Sequence, residues 1–342
     1  MTTLDRPLKI AVMSFAHTHA RGYVELLTSS PGISVLTSDP GVHPAGELRG
    51  RALADTLGVD YVDTYDELLA WKPDAVIVTS ENAHHREHVE LAASVGAHIL
   101  CEKPLATTLD DGKAMLAAAD AAGVMLMVAF PVRFASTFLH LKADYEAGAL
   151  GQLLSVRGSN NGKLPSERAW FTDPALSGGG ALVDHVVHIA DLLEGLMGSA
   201  PLSVTAVTNR KLHAERAQAE TAGLVTISYA NGVIAAIDCS WSRPATAATW
   251  GGVKLTVTGT GGTVDIDFFG PRARGIDTLT GRPIEATYGP NFDEALLGTF
   301  LEAVRSGVQP QPDGDVGLRT LRIVLAAQES AVTGQTVMIN ES

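Results

Sequence analysis

Two stretches carry side chains suited to moving a proton at a hydroxyl-bearing carbon. In Leu100-Cys-Glu-Lys-Pro-Leu-Ala106, Lys103 follows a short apolar run and precedes a proline. Proline removes a backbone donor and stiffens the turn, so an ammonium there can be aimed at a reacting oxygen instead of left in water. In Ser177-Gly-Gly-Gly-Ala-Leu-Val-Asp-His-Val-Val-His-Ile-Ala-Asp191, helical spacing puts Asp184 and His188 on one face, with Asp191 continuing the stripe. A carboxylate beside an imidazole can orient a hydroxyl and take its proton, because histidine titrates near neutrality and a carboxylate supports its charged form. The plainer readings are a solvated surface pair for Glu102-Lys103, and a capped helix start with a core histidine for Asp184 and His188.

A third stretch, Met13-Ser-Phe-Ala-His-Thr-His-Ala20, follows the first apolar run. In a doubly wound sheet this turn aims a helix N-terminus at a pyrophosphate, and Ser14, Phe15, Ala16, His17, Thr18 and His19 are therefore candidate cofactor contacts. The usual G-x-G-x-x-G would put glycines at Ser14, Ala16 and His19, so the position fits and the composition does not. His17 and His19 suit neutralising a phosphate or reaching substrate, and equally suit packing at a helix start. No partnering carboxylate pattern stands nearby in sequence, so no metal is expected. After the second strand, Asp39 is a candidate acceptor for the ribose hydroxyls or a solvated turn residue before Pro40; no arginine directly follows to neutralise a 2′-phosphate, which favours NAD over NADP.

The elements that must position these residues alternate. From Lys9 to about Phe130, short apolar runs at 10–13, 33–36, 75–78, 97–100 and 125–128 alternate with helix-compatible stretches at 17–29, 47–57, 65–71, 84–95 and 108–122. The reading is α/β: a Rossmann doubly wound parallel sheet over residues 1–130. Beyond Gly151 the texture becomes β-like at 153–157, 203–208, 223–229, 233–238 and 254–258, with Asn231-Gly232 as a hairpin turn. Helices at 291–306 and 316–333 close the chain. Residues 131–342 thus form an α+β domain with a large, mostly antiparallel sheet, whose last helix is placed to pack back on the first domain.

The chain of 342 residues is long enough for two cores. A formal charge of −13 argues against nucleic acid or an anionic membrane as partner, since both require a cationic face. No apolar run reaches membrane-spanning length. Two cysteines, Cys101 and Cys239, build neither a disulfide framework nor a cysteine zinc site, and the reading is a cytoplasmic protein.

Taken together these motifs resemble the Gfo/Idh/MocA family of sugar and inositol dehydrogenases. The likeness runs through Val76-Ile-Val-Thr-Ser-Glu-Asn-Ala-His-His85, Glu102-Lys-Pro104, Phe130-Pro-Val-Arg-Phe134, Gly178 to His188 and Val316 to Ser330. The resemblance implies an NAD(P)-dependent dehydrogenase that assembles as a homodimer or homotetramer and acts on a carbohydrate-like substrate. By position it implies Lys103, Asp184 and His188 as catalytic residues and Ser80, Asn82, His85, Glu102, Lys103 and Arg133 near the cofactor. It also implies Trp170 in the pocket wall and His185 near substrate; a buried core role rivals the first. Glu81 replaces a usual proline. Two other chemistries fit the same motifs: glycoside cleavage through transient oxidation on a retained dinucleotide, and non-catalytic binding of nucleotide or sugar.

Overall fold

The computed structural model describes residues 6–247, 249–270, 272–276, 278–279, 283–287, 289 and 291–339. The first half alternates strand and helix: β1 (Leu8–Met13), α1 (His19–Thr28), β2 (Ile33–Ser38), α2 (Gly50–Leu57), β3 (Asp60–Tyr61), α3 (Tyr65–Ala70), β4 (Ala75–Val78), α4 (His85–Ser94), β5 (His98–Glu102), α5 (Leu109–Ala122) and β6 (Leu126–Ala129). The strands form one parallel sheet in the order β3-β2-β1-β4-β5-β6, whose reversal point lies between β1 and β4. Every residue of β4 and β6 is buried, because helices cover both faces and leave no polar side for alternation. Helix α5 begins where expected: Thr108 Oγ1 accepts from Asp111 N at 3.1 Å.

The second half runs α6 (Ser136–Glu146), β7 (Leu153–Lys163), α7 (Pro174–Ser177), α8 (Ala181–Met197), β8 (Pro201–Asn209), β9 (Ala222–Tyr229), β10 (Ile234–Arg243), β11 (Val253–Gly259), β12 (Gly262–Asp267), β13 (Arg272–Ile276), β14 (Pro283–Thr287), α9 (Phe292–Ser306), α10 (Gly314–Thr333) and β15 (Val337–Met338). Seven strands pair in the order β12-β11-β7-β10-β9-β8-β15, and β13 and β14 form a separate hairpin. The sheet is mixed, since β7 and β10 run parallel. The Asn231-Gly232 hairpin forms between β9 and β10, with Gly232 at φ +84°. Alternating burial along β9 and β10 puts one face on α8 and leaves the other open.

Both closing helices return to the first sheet. Leu296, Phe300 and Val304 of α9 share a core with Ile10, Val12 and Ile77, while a Cβ on Gly317 of α10 would stand 2.7 Å from Val128, so glycine lets the helix lie close to β6. Among the described residues, no helix is long and apolar enough to cross a membrane.

Candidate active site

At the carboxyl ends of the parallel strands, where open α/β sheets hold ligands, β5 delivers Lys103 to the start of α8. The approach depends on Gly180: a Cβ there would meet Glu220 O at 1.9 Å. Glu220 then accepts from Gly180 N at 2.9 Å and Leu182 N at 3.1 Å, so Glu220, and not Asp184, caps the helix. Asp184 is left free to face β5. Lys103 Nζ donates to Asp184 Oδ1 at 2.7 Å, and Trp241 Nε1 donates to Asp184 Oδ2 at 3.0 Å. Burial opposes the Asp184 charge, but Lys103 and His185 outweigh it and hold the carboxyl well below its usual range.

A cavity of about 720 Å³ opens over this pair, lined by His17, His19, Lys103, Asp184 and His188 among others. His188 is partly buried, and its Nδ1 has no hydrogen-bond partner. Burial and the Lys103 ammonium depress its pKa well below that of free histidine, so the ring is neutral at pH 7. The neighbour expected for Asp184 is thus replaced: its bonds go to Lys103 and Trp241, and His188 stands apart as a second group on the same cavity. His185 does not line the cavity. It packs beneath β7 at Gly162 and against Trp250, its Nε2 3.1 Å from Asp184 Oδ2 without hydrogen-bond geometry.

The turn after β1 keeps the Rossmann course with other residues. Ser14 adopts φ +75°, the left-handed conformation usually left to glycine, and its Oγ accepts from Ala16 N at 3.1 Å and donates to Asp39 Oδ1 at 3.1 Å. Ser14 N, Ala16 N, His17 N, His19 N and Ala20 N are bonded within the protein. Trp170 Nε1 donates to Ala16 O at 3.1 Å, and Trp170 and Phe171 stack at 3.9 Å over Ala16. Beyond them lies a second cavity of about 540 Å³ lined by Ser14, Asp39, Arg49, Glu81 and Trp170 among others. Trp170 therefore walls this second cavity and not the one at Lys103.

Asp39 is engaged from a residue the sequence reading passed over. Arg49 donates to both Asp39 oxygens, at 2.9 and 3.1 Å, and to Glu81 Oε1 at 2.8 Å. The missing arginine is thus present, brought from the start of α2, and Glu81 in place of proline is its second anchor. The only sequence signal was the pairing of two isolated acids with one isolated base, which carries no distance information. Burial opposes the Asp39 charge, but Arg49 outweighs it and keeps the pKa low.

The other expected contacts divide. Ser80 Oγ and Asn82 Oδ1, just beyond the end of β4, and Ser38 Oγ, at the end of β2, are buried without partners, and these residues line neither cavity. His85 is fully buried; its Nδ1 lies 3.0 Å from Pro104 O and its Nε2 3.3 Å from Ser80 O, so it braces the Lys103 turn. Arg133 is turned away: its guanidinium holds Asp191 Oδ2 at 3.0 Å and Asp191 O at 2.8 Å and lines neither cavity.

Glu102 supplies the carboxylate that the sequence around His17 and His19 lacks. Its Oε1 lies 2.9 Å from His19 Nδ1 and 3.8 Å from His17 Nδ1, and accepts from Tyr23 at 2.8 Å. Burial lowers the His17 pKa to about 3, while for His19 the Glu102 charge overcomes burial and raises it.

The two cavities lie on either side of the turn after β1, where a doubly wound sheet holds a dinucleotide, and the Trp170-Phe171 pair lies between them. Residues 40–130 match the family described as oxidoreductases with an NAD-binding Rossmann fold, and residues 138–265 match the GFO/IDH/MocA C-terminal domain. The chain is 29% identical over 298 residues to 1,5-anhydro-D-fructose reductase of Ensifer adhaerens, covering 85% of this chain and 88% of that one. It is 26% identical to scyllo-inositol 2-dehydrogenase (NAD(+)) of Bacillus subtilis (strain 168), over 98% of each chain. Among solved structures, GenD2 from gentamicin A biosynthesis in complex with NAD superposes with a TM-score of 0.85 at 26% identity, over 98% of this chain and 97% of that one. With both halves matched in order and the parallel sheet, crevice and Lys103 turn in place, the chain belongs to the Gfo/Idh/MocA family of oxidoreductases with an NAD-binding Rossmann domain.

Proposed function

We propose that this protein oxidises or reduces a hydroxyl-bearing carbon of a sugar, polyol or sugar derivative with a nicotinamide dinucleotide. The observation that carries this reading is the Lys103–Asp184 pair at 2.7 Å, set on a cavity that His188 also lines. The relatives named for a sugar and for an inositol support the substrate class. When bound, the dinucleotide supplies the hydride donor or acceptor.

The chain's own residues divide the remaining work. Lys103 donates a hydrogen bond to the reacting oxygen and stabilises negative charge on it. Asp184, held by Trp241, keeps that ammonium aimed. His188 takes the hydroxyl proton during oxidation and returns it during reduction. Ser14, Asp39, Ser80 and Asn82 are the residues we assign to the dinucleotide, with its adenine-ribose end in the second cavity. Asp39, Glu47, Glu81 and Asp173 all line that cavity, with Arg49 its one permanent cation among the described residues. Excess negative charge repels a 2′-phosphate, so NAD is the cofactor we propose.

A second copy of the chain is the partner we propose for the open face of the seven-stranded sheet. There Val207 and Leu224, directly paired across β8 and β9, are 63% and 58% exposed, and Ile234 of β10 is 52% exposed.

The test is to offer the purified protein a panel of sugars and polyols with NAD and with NADP, follow nicotinamide absorbance, and examine the native protein by mass spectrometry. Turnover with at least one member is expected. Absence of both turnover and dinucleotide binding would overturn the reading. Release of an aglycone without accumulation of reduced dinucleotide would favour glycoside cleavage, and binding without turnover would favour a sensor.

A further inference from the structure

We infer that His17, His19 and Glu102 form a binding site for one divalent transition-metal ion, zinc best matching the ligand set, at the edge of the Lys103 cavity. The inference does not rest on the redox reading, since it concerns side chains that hydride transfer leaves unused.

The three residues reach one point from two elements. His17 and His19 come from the turn after β1 and the first residue of α1, and Glu102 from the end of β5. Each offers one ligand atom, and these atoms lie within 4.8 Å of one another. The imidazoles meet edge to face with centroids 4.5 Å apart. Tetrahedral bonds of about 2.0–2.2 Å to nitrogen and oxygen put neighbouring ligand atoms about 3.4 Å apart. The observed separations of 2.9 and 3.8 Å from Glu102 Oε1 bracket that value, so shifts of a few tenths of an ångström suffice there.

The surroundings match a metal centre better than an ion pair. His17, only 3% exposed, stands beside the same oxygen as His19, and its Nδ1 accepts from His19 N at 3.2 Å, a bond that a metal ion held on this nitrogen would replace. Glu102 also has the outer support that ligating carboxylates carry: Tyr23 donates to Oε1 at 2.8 Å and Lys103 N to Oε2 at 3.2 Å. Two nitrogens and one oxygen are a borderline set suited to zinc and its first-row neighbours, unlike the all-oxygen sets of calcium or magnesium.

Three protein ligands leave a coordination position open, which separates a working site from a purely structural one. His17 and His19 both line the 720 Å³ cavity with Lys103, Asp184 and His188. The open position is therefore available to a water or to a hydroxyl or carbonyl oxygen of a molecule in the cavity. An ion there would polarise that oxygen as a Lewis acid.

The test uses the full chain without cofactor or substrate. The protein is stripped with a chelator and titrated with Zn²⁺ by calorimetry and with Co²⁺ by visible absorption, alongside His17→Gln, His19→Gln and Glu102→Gln. One equivalent is expected, with tetrahedral cobalt bands, and affinity reduced about 100-fold or more in each variant. His140→Gln, altering an exposed histidine, should bind as the parent does. Thermal melts of the stripped proteins identify any variant that fails to fold; for such a position, His→Asn or Glu→Asp is used. Absence of stoichiometric binding by the parent overturns the site, as does binding that survives all three substitutions. Because the readout needs no dinucleotide, either outcome leaves the redox reading to its own test.

Discussion

Lys103 Nζ and Asp184 Oδ1 stand 2.7 Å apart, with both side chains nearly sealed from solvent and the second carboxylate oxygen held by Trp241. A closed ion pair of this kind is costly to break from one side only, because the survivor is a buried charge without a partner. Lys103→Ala should therefore destabilise the fold by about 3 kcal/mol or more. The neutral double variant Lys103→Met/Asp184→Asn keeps an acceptor for Trp241, so it should regain much of that stability and still be inactive. Denaturant unfolding with turnover measurements separates the two effects. A Lys103→Ala protein as stable as the parent would show that the pair is open to water.

Trp170 bonds Ala16 O and, with Phe171, rests on the turn a dinucleotide has to cross. Displacing it costs at least that hydrogen bond and the stacking over Ala16, together on the order of 1–2 kcal/mol. Trp170→Ala removes the cost from the binding equilibrium, so NAD affinity should rise about tenfold, at some expense in melting temperature. Calorimetric titration decides: unchanged or weaker binding would mean that the segment is part of the cofactor's own site.

The second cavity's acids bear on cofactor choice. Asp39 and Glu81 already occupy Arg49, which leaves little positive charge to meet a 2′-phosphate. NADP should bind at least about tenfold more weakly than NAD, a difference of about 1.4 kcal/mol. Equal affinities in parallel titrations would place the ribose elsewhere.

His88 provides a pH dependence remote from the chemistry. Burial lowers its pKa to about 4, against 6.5 for the free side chain, and its ring packs edge-on to Tyr65 with centroids 4.9 Å apart. A depressed imidazole pKa means that the unfolded chain binds the proton first. The stability from the neutral ring is then complete above pH 6.5 and is lost as pH falls toward 4. Over that window the loss is on the order of 2–3 kcal/mol. His88→Leu should flatten this part of the stability profile, and denaturant midpoints from pH 7 to 4.5 that run parallel for the two proteins would refute the assignment.

Leu224 pairs directly with Val207 on the open sheet face. Putting a charge at this spot should dissociate an assembly built on the face without disturbing the buried face. Leu224→Lys is expected to lower the molar mass measured by light scattering while leaving the circular dichroism unchanged; a parent protein already monomeric would remove this face from consideration.

Periodicity was a reliable guide wherever burial is two-sided or one-sided over several turns. The runs at 75–78 and 125–128 stand within a residue of β4 and β6, and the closing helices also lie where their spacing puts them. Helix α6 and strand β12 were not picked out. Ser136–Glu146 buries only Phe138 and Leu141, and Gly262–Asp267 is an edge strand without a buried face, so neither leaves a strong apolar rhythm. The parallel pairing of β7 with β10 was equally out of reach, since alternation reports which face is buried and not which way a neighbour runs.

Taken by itself, the order of residues determined the α/β character of the first half, the turn that presents Lys103, and the helix that carries Asp184 and His188. Those are local matters, settled by side-chain period, proline and glycine within a few positions of each other. Only tertiary structure decided which charges meet: Arg49 on Asp39, Arg133 on Asp191, Asp184 on Lys103 in preference to His188, and Glu102 beside His17 and His19. A charge acts through space over a few ångströms, and the chain brings residues to that range through strand order and helix approach, which no local pattern encodes.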